Sequence, residues 1–181
     1  QSCITNSWFT QIRGKKADKI ETRIEILTGA ITPFLDDLVD SKGFLSNEII
    51  ELINHSEKNS SFPILIIRYL YNRINVGCSK EYHFAFKKAL ISQDASIKQL
   101  GSVKIKHDDL LQLTLNKGAI WTLLYRSVLN NPLIPNEKNA ICTLGGLLQL
   151  TNDVFDVYKD KLNAQQSIYT NANDLEPLYK D

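Results

Sequence analysis

Acidic and amide side chains recur at helical spacing in the stretch LLQLTNDVFDVYKD, which occupies positions 147–160. Because each residue of an α-helix advances by about 100°, Asn152, Asp156 and Asp160 form one stripe and Asp153 lies beside it. Carboxylates four residues apart on a helix repel each other, and a bound cation relieves that repulsion. Hard divalent ions such as Mg²⁺ take carboxylate oxygens and are usually completed by water and substrate phosphates. The stretch therefore indicates half of a metal–diphosphate site, although many acidic helix faces are simply solvated.

A second acidic cluster, DDLVD, lies far earlier in the chain. Asp36 and Asp40 share a helical face, and Asp37 lies next to them. One interpretation makes Thr32 an N-cap and Pro33 the first helical residue, so that the first two aspartates compensate the helix dipole. That interpretation does not account for Asp40, whereas a second group of metal ligands does.

Taken together, the two clusters resemble the aspartate-rich motifs of the class I isoprenoid synthases, which are all-α enzymes that ionise allylic diphosphates. DDLVD at 36–40 and QLTNDVFDVYKD at 149–160 are most similar to the two motifs of squalene and phytoene synthases. The second stretch also fits the DDxxD-like motif of linear prenyl diphosphate synthases. In the pattern of terpene cyclases, Asn152, Asp156 and Asp160 fall on the Asn, Ser/Thr, Glu triad. The resemblance predicts the superfamily and leaves the branch open.

This resemblance implies an enzyme of isoprenoid biosynthesis, a prenyltransferase or terpenoid synthase that ionises an allylic prenyl diphosphate to transfer or condense the prenyl group. The alternatives are a terpene cyclase of the same fold and a non-catalytic helical protein that binds a prenyl lipid. The implied cofactor is Mg²⁺, three ions in all, with Mn²⁺ as a substitute. The implied metal ligands are Asp36, Asp37, Asp40, Asn152, Asp156 and Asp160. The implied catalytic residues are these six together with Asp153.

A cation and two aromatic rings recur every four residues in the segment before the second motif. Lys117, Trp121 and Tyr125 therefore share one helical face, and Arg126 lies on the opposite face. Linear prenyl synthases carry a Lys-Thr pair one helix before the second motif, so the resemblance implies that Lys117 binds diphosphate, with Gly118 in place of Thr. The alternative is that the rings belong to the core and that the lysine chain extends along it to solvent.

Two glutamine-containing stretches supply further candidates. Gln149, one turn before Asn152, lies on the metal-facing side and is a candidate substrate-binding residue. In the run QDASIKQ, Gln93, Ser96 and Gln99 follow one another at intervals of one turn. They resemble the interior polar positions of the family, and the alternative is a solvated face.

The sequence departs from the family pattern at two positions that bear on the binding of a second substrate diphosphate. Phe155 stands where squalene and phytoene synthases commonly have Arg, and only Ser41-Lys42 follows Asp40 where linear synthases carry an Arg pair. A one-substrate cyclase or diphosphate lyase therefore stays among the candidates.

The rest of the chain predicts an all-α, isoprenoid-synthase-type helical bundle around a central cavity. Apolar residues recur at helical spacing, and no strand alternation or Asn-Gly or Asp-Gly hairpin signal is present. We expect a single domain over residues 1–181, incomplete at its amino end because the sequence contains no Met. Helices are predicted at 16–30, from Pro33 to a C-cap at Gly43, after Asn47, and over 63–74, 80–99, 110–129 and 135–162. Gly145-Gly146, inside the last helix, predicts close approach of another helix or of a ligand.

Composition excludes several classes of partner. A net charge of +1 with no basic stripe gives no reason to expect nucleic acid. The three cysteines have spacings that fit neither a zinc site nor a disulfide framework, so we expect reduced thiols in a cytoplasmic protein. No apolar run reaches the ~20 residues of a transmembrane span. The expected partner is a prenyl diphosphate, with peripheral membrane contact and a homodimer left open.

Overall fold

The computed structural model describes residues 7–11, 14–54 and 61–171, except for the side chains of residues 40–42. No strand occurs in these ranges, so the predicted all-α class is confirmed. Residues 7–11 are helical, and a 3₁₀ turn, Ile97–Leu100, follows the fourth of the long helices. The α-helices that follow residue 14 in these ranges are α1 (Lys19–Lys42), α2 (Ser46–Asn54), α3 (Phe62–Asn75), α4 (Lys80–Ser96), α5 (His107–Arg126) and α6 (Pro135–Leu162).

Both ends of α1 are capped by local sequence. The carboxylate of Asp18 accepts hydrogen bonds from the backbone N–H groups of Ile20 and Glu21, at 2.7 and 2.8 Å. The Glu21 carboxylate accepts in return from the Asp18 N–H at 2.8 Å, which completes a capping box. At the other end Gly43 has a φ of 66°, the left-handed conformation of a helix C-cap. The predicted C-cap is thus confirmed.

The interpretation that starts a helix at Pro33 is wrong, because α1 runs through this proline without interruption. Thr32 is not an N-cap, since its hydroxyl donates to the Thr28 carbonyl oxygen at 2.8 Å. A proline inside a helix costs about 3 kcal/mol relative to Ala. Complete burial of Ile31 and Leu35 on either side of it offsets that cost, because each such side chain contributes about 1.5–3 kcal/mol.

Helices α5 and α6 pack along each other and meet at two glycines. A Cβ atom on Gly118 would lie 2.1 Å from the Gly145 carbonyl oxygen, and one on Gly145 would lie 2.4 Å from the Gly118 carbonyl oxygen. One residue further on, a Cβ on Gly146 would lie 2.8 Å from a methyl group of Leu115. Only glycine permits this backbone approach, which confirms the close contact predicted from the Gly-Gly pair.

The main hydrophobic core lies where α1 packs against α3, and where α4 packs against both α1 and α5. Fully or almost fully buried side chains from these helices form it, including Ile24, Ile31, Leu35, Ile67, Tyr82 and Leu124. Along α1 this core faces away from the acidic positions, so burial of the apolar stripe fixes the direction in which the first cluster points.

Besides the uninterrupted α1, which replaces two predicted helices, several helix boundaries differ from the prediction by a few residues. Helix α4 becomes a 3₁₀ turn after Ser96, and α5 ends at Arg126, not at Leu129. Helix α6 has the predicted bounds. The loop predicted at 55–61 lies mostly outside the described residues, as does the tail beyond residue 171. None of the helices in the described ranges is long and apolar enough to cross a bilayer.

Candidate active site

A cavity of about 350 Å³ lies between α1, α5 and α6. The two helices that carry the acidic clusters contribute to different walls, and α5 supplies the wall between them. Trp8, from the helical residues 7–11, also lines this space. The cavity brings together six of the residues predicted to form the site: Asp36, Lys117, Trp121, Tyr125, Gln149 and Asn152.

Of the first-cluster side chains that the structure describes, Asp36 lines the cavity, and a neighbouring helix holds it in place. The side-chain amide of Gln93 on α4 donates a hydrogen bond to its carboxylate. Gln93 is only 1% exposed, and the Ser96 hydroxyl donates in turn to the Gln93 backbone carbonyl at 2.7 Å. This run of polar residues is therefore buried and not a solvated face, and it orients a carboxylate of the site.

The other two aspartates of the first cluster are placed differently. Asp37 is exposed on α1 and is not among the residues that line the cavity. The side chain of Asp40 lies outside the described residues. Among the described acids of the first cluster, Asp36 is therefore the one that lies at the cavity.

In the second cluster, Asn152 and Asp156 form a pair on one side of α6. The Asn152 amide nitrogen donates to the Asp156 carboxylate at 2.8 Å, and both side chains are half-buried. This bond uses the amide nitrogen, so the Asn152 carbonyl oxygen keeps its capacity as an acceptor or a metal ligand. Asn152 is the member of this pair that lines the cavity, as Asp36 of α1 does, and Asp156 is bonded to it from one turn further along α6.

Asp153 is directed towards α5, away from this pair. It accepts hydrogen bonds from the Gln149 amide at 2.8 Å and from the Thr114 hydroxyl at 3.1 Å. Burial raises the pKa of the Asp153 carboxyl, although both hydrogen bonds act in the opposite direction. Asp153 therefore joins α6 to α5, and it holds the amide group of Gln149 in place.

Asp160 is also buried, and with Asp153 it lines a separate chamber of about 20 Å³. Burial, and then repulsion from the Asp153 and Asp156 carboxylates, raise the pKa of Asp160 to about 6. Lys117 lines this chamber as well as the larger cavity, so its ammonium group is shared between the buried acids and the site.

Two aromatic side chains of α5 form part of the cavity wall. The Tyr125 hydroxyl lies 3.2 Å from the Thr32 hydroxyl, and burial raises the pKa of Tyr125. Trp121 is 8% exposed, and its buried indole nitrogen has no hydrogen-bond partner among the described residues. Arg126 was predicted to lie on the face of α5 opposite Lys117. This prediction is confirmed, because Arg126 does not line this cavity and pairs with Glu137 at 2.7 Å.

Comparisons of the chain with protein-family models, with curated proteins and with solved structures find no match. Interpretation of the cavity therefore depends on the two motifs and on the chemistry of its walls.

The oxygen donors of the two walls suit a hard cation. Among the described residues, no three His, Cys, Asp or Glu side chains are close enough to one another to hold a metal ion by themselves. Mg²⁺ commonly binds through one or two carboxylates and completes its coordination with water and substrate phosphates. Asp36 and Asn152 line the cavity, and the Asp156 carboxylate is hydrogen-bonded to Asn152, so one or two carboxylates and an amide oxygen are the candidate ligands.

Two residues that support the site lie outside both acidic motifs of the sequence. Thr114 holds Asp153, and Thr122 lines the cavity beside Gly145. A signal was present in the sequence, because Thr114, Gly118 and Thr122 repeat every four residues as a stripe of small side chains on α5. Such a stripe indicates the face against which another helix packs closely.

Proposed function

We propose that the protein is an isoprenoid synthase that uses Mg²⁺ to ionise an allylic prenyl diphosphate and transfers or condenses the prenyl group. The observation that carries this proposal is that Asp36 and Asn152, from two motifs far apart in sequence, line one cavity together with Lys117. Acidic helix faces are common, but two that contribute to one cavity beside a cation are not expected from solvation alone.

The polar part of the cavity would bind the diphosphate. Asp36 would hold Mg²⁺ on the α1 wall, and Asn152 with Asp156 would hold it on the α6 wall. Bound Mg²⁺ supplies Lewis-acid neutralisation of the charge on the leaving group. Lys117 would pair directly with the phosphate oxygens, as a point charge at the side of the cavity.

The remaining walls suit the chemistry of the carbon chain. When the allylic C–O bond breaks, its electron pair leaves with pyrophosphate and a carbocation stays on the prenyl group. The rings of Trp121 and Tyr125, with Leu148, line the cavity and would keep water away from that cation. Each well-placed ring face stabilises a cation by about 0.5–2 kcal/mol.

The direct experiment incubates the protein with geranyl, farnesyl and geranylgeranyl diphosphates, with Mg²⁺ or with EDTA, and measures pyrophosphate and organic products. We expect Mg²⁺-dependent release with at least one chain length. Lys117→Gln should raise KM for the diphosphate about tenfold, whereas the exposed Lys104→Gln should leave KM unchanged. Absence of release with every chain length would refute the proposal.

A second candidate is a cyclase or lyase that acts on one substrate. It is favoured by the single cation, Lys117, among the described residues that line the cavity, and by a volume near the lower end of the range for small-molecule sites. A cyclic or linear hydrocarbon or alcohol formed from one diphosphate alone would identify it. A non-catalytic prenyl-lipid-binding protein would instead be stabilised thermally by the ligand without any turnover.

A further inference from the structure

A second, larger cavity lies between α4, the carboxyl end of α5 and the beginning of α6. Its volume is about 590 Å³, and it shares no lining residue with the candidate active site. This volume lies within the range of about 300–1,000 Å³ that is usual for small-molecule sites. Its walls are largely apolar and include Phe84, Ala85, Ile120, Leu123, Leu129 and Leu133.

A buried guanidinium group lies in this apolar wall. Arg126 is 2% exposed, and its Nε donates to the Glu137 carboxylate at 2.7 Å. One Nη atom donates to the Asn131 carbonyl oxygen at the long distance of 3.4 Å. A guanidinium carries five N–H donors, so it can bind a further acceptor beside Glu137 and Asn131. Arg126 lines the cavity, so that acceptor can come from a ligand.

The other charged side chains that line this cavity are mainly positive. Exposed Lys88 and Lys138 line it, and the Lys88 ammonium lies 4.5 Å from the centroid of the Phe84 ring. Among the described lining residues, Glu81 is the single acid. The cavity therefore combines a long apolar surface with an excess of cationic groups.

We propose that this cavity binds a small anionic amphiphile, with an oxyanion head at Arg126 and an apolar chain along the walls formed by α4 and α5. A carboxylate or a phosphate head has the required chemistry, because a guanidinium pairs with either through two parallel hydrogen bonds. The proposal is independent of the isoprenoid synthase activity, because it concerns a separate cavity and predicts binding without turnover.

Isothermal titration calorimetry with monomeric dodecanoate, dodecyl phosphate, dodecanol and dodecyltrimethylammonium tests this proposal. We expect one anionic ligand per chain, and binding of the alcohol and of the cation at least about tenfold weaker, since a charge-assisted hydrogen bond is lost. The better of the two anions identifies the head group. Equal affinity for all four compounds would overturn the proposal.

Variants locate the bound ligand. Arg126→Gln and Lys138→Gln should weaken binding of the anion, with the larger effect for Arg126, and Lys87→Gln on the exposed face of α4 is the matched control. Arg126→Gln also breaks the ion pair with Glu137, so a second variant, Ala85→Trp, fills the cavity without altering that ion pair. Leu148→Trp fills the candidate active site and should leave the affinity unchanged. The proposal fails if Ala85→Trp leaves binding intact, if Leu148→Trp abolishes it, or if the cavity variants alter self-association and not ligand binding.

Discussion

The two acidic clusters have similar spacings but different surroundings. On α1, Asp36 lines the cavity and Asp37 is exposed. On α6, Asn152 lines the cavity, whereas Asp153 and Asp160 are buried. The two described acids of the first cluster therefore face the cavity and solvent, whereas the second cluster places two acids inside the protein.

Helix packing explains this difference. Gly118 and Gly145 let α5 and α6 approach so closely that the α6 face on that side is sealed, and Asp153 must find its partners on α5 and on α6 itself. Asp37, by contrast, is exposed on α1. The lesson is that spacing defines the candidate ligands, whereas the neighbouring helix decides which acids bind a ligand and which stabilise the fold.

The largest loss of stability is expected from a substitution at the glycine crossing between α5 and α6. Gly118→Leu places side-chain atoms where a Cβ alone would lie 2.1 Å from the Gly145 carbonyl oxygen, so the two helices must separate. We expect a loss of about 3 kcal/mol or more in the free energy of unfolding, at the upper end of overpacking costs. Urea denaturation followed by circular dichroism measures it, with the exposed Asn116→Leu on the same helix as control. A wild-type midpoint for Gly118→Leu would contradict the close crossing.

A smaller loss is expected for the buried acid itself. Asp153→Ala leaves the Gln149 amide and the Thr114 hydroxyl without their acceptor, which should cost about 2 kcal/mol of unfolding free energy. Asp37→Ala on the surface of α1 should change it by less than about 0.5 kcal/mol. Equal losses in thermal or urea denaturation would remove the distinction between the clusters.

Local features of this architecture were predictable, whereas individual hydrogen bonds between side chains distant in sequence were not. Pro135 at the start of α6 and Gly43 at the end of α1 are local signals, and both helix ends follow them. Pro33 misleads, because burial of the apolar stripe on both sides of it outweighs its local preference. The bond from Gln93 to Asp36 joins residues 57 positions apart, and no spacing rule predicts such a contact.

Gln93 is a positioning residue, and its replacement should have a moderate effect on turnover. Gln93→Ala removes one hydrogen bond that orients the Asp36 carboxylate, the proposed metal ligand, and we expect kcat to fall about tenfold with little change in KM. Exposed Gln112→Ala is the control. Steady-state kinetics measure both constants, and a change in KM alone would indicate direct contact with substrate instead.

A further prediction concerns the pH dependence of stability. The pKa of Asp160 is about 6 in the folded protein and has an ordinary value of 3.8, so between these pH values the folded state holds a proton that the unfolded chain releases. Stability therefore falls as pH rises through this window, and the penalty is complete above about pH 6. In metal-free buffer, Asp160→Asn should flatten the slope of unfolding free energy against pH between 4 and 6. An unchanged slope would show that Asp160 does not titrate in this way.

The central claim is that both clusters act on one diphosphate. Magnesium-dependent pyrophosphate release should be measured with wild type, Asp36→Asn and Asn152→Ala, using the exposed Asp109→Asn as control. The account predicts that each site variant loses at least about 100-fold in rate, as for removal of a group that stabilises the leaving charge, whereas the control stays at the wild-type rate. Full activity after either site substitution would contradict it, because one of the two walls would then have no part in the reaction.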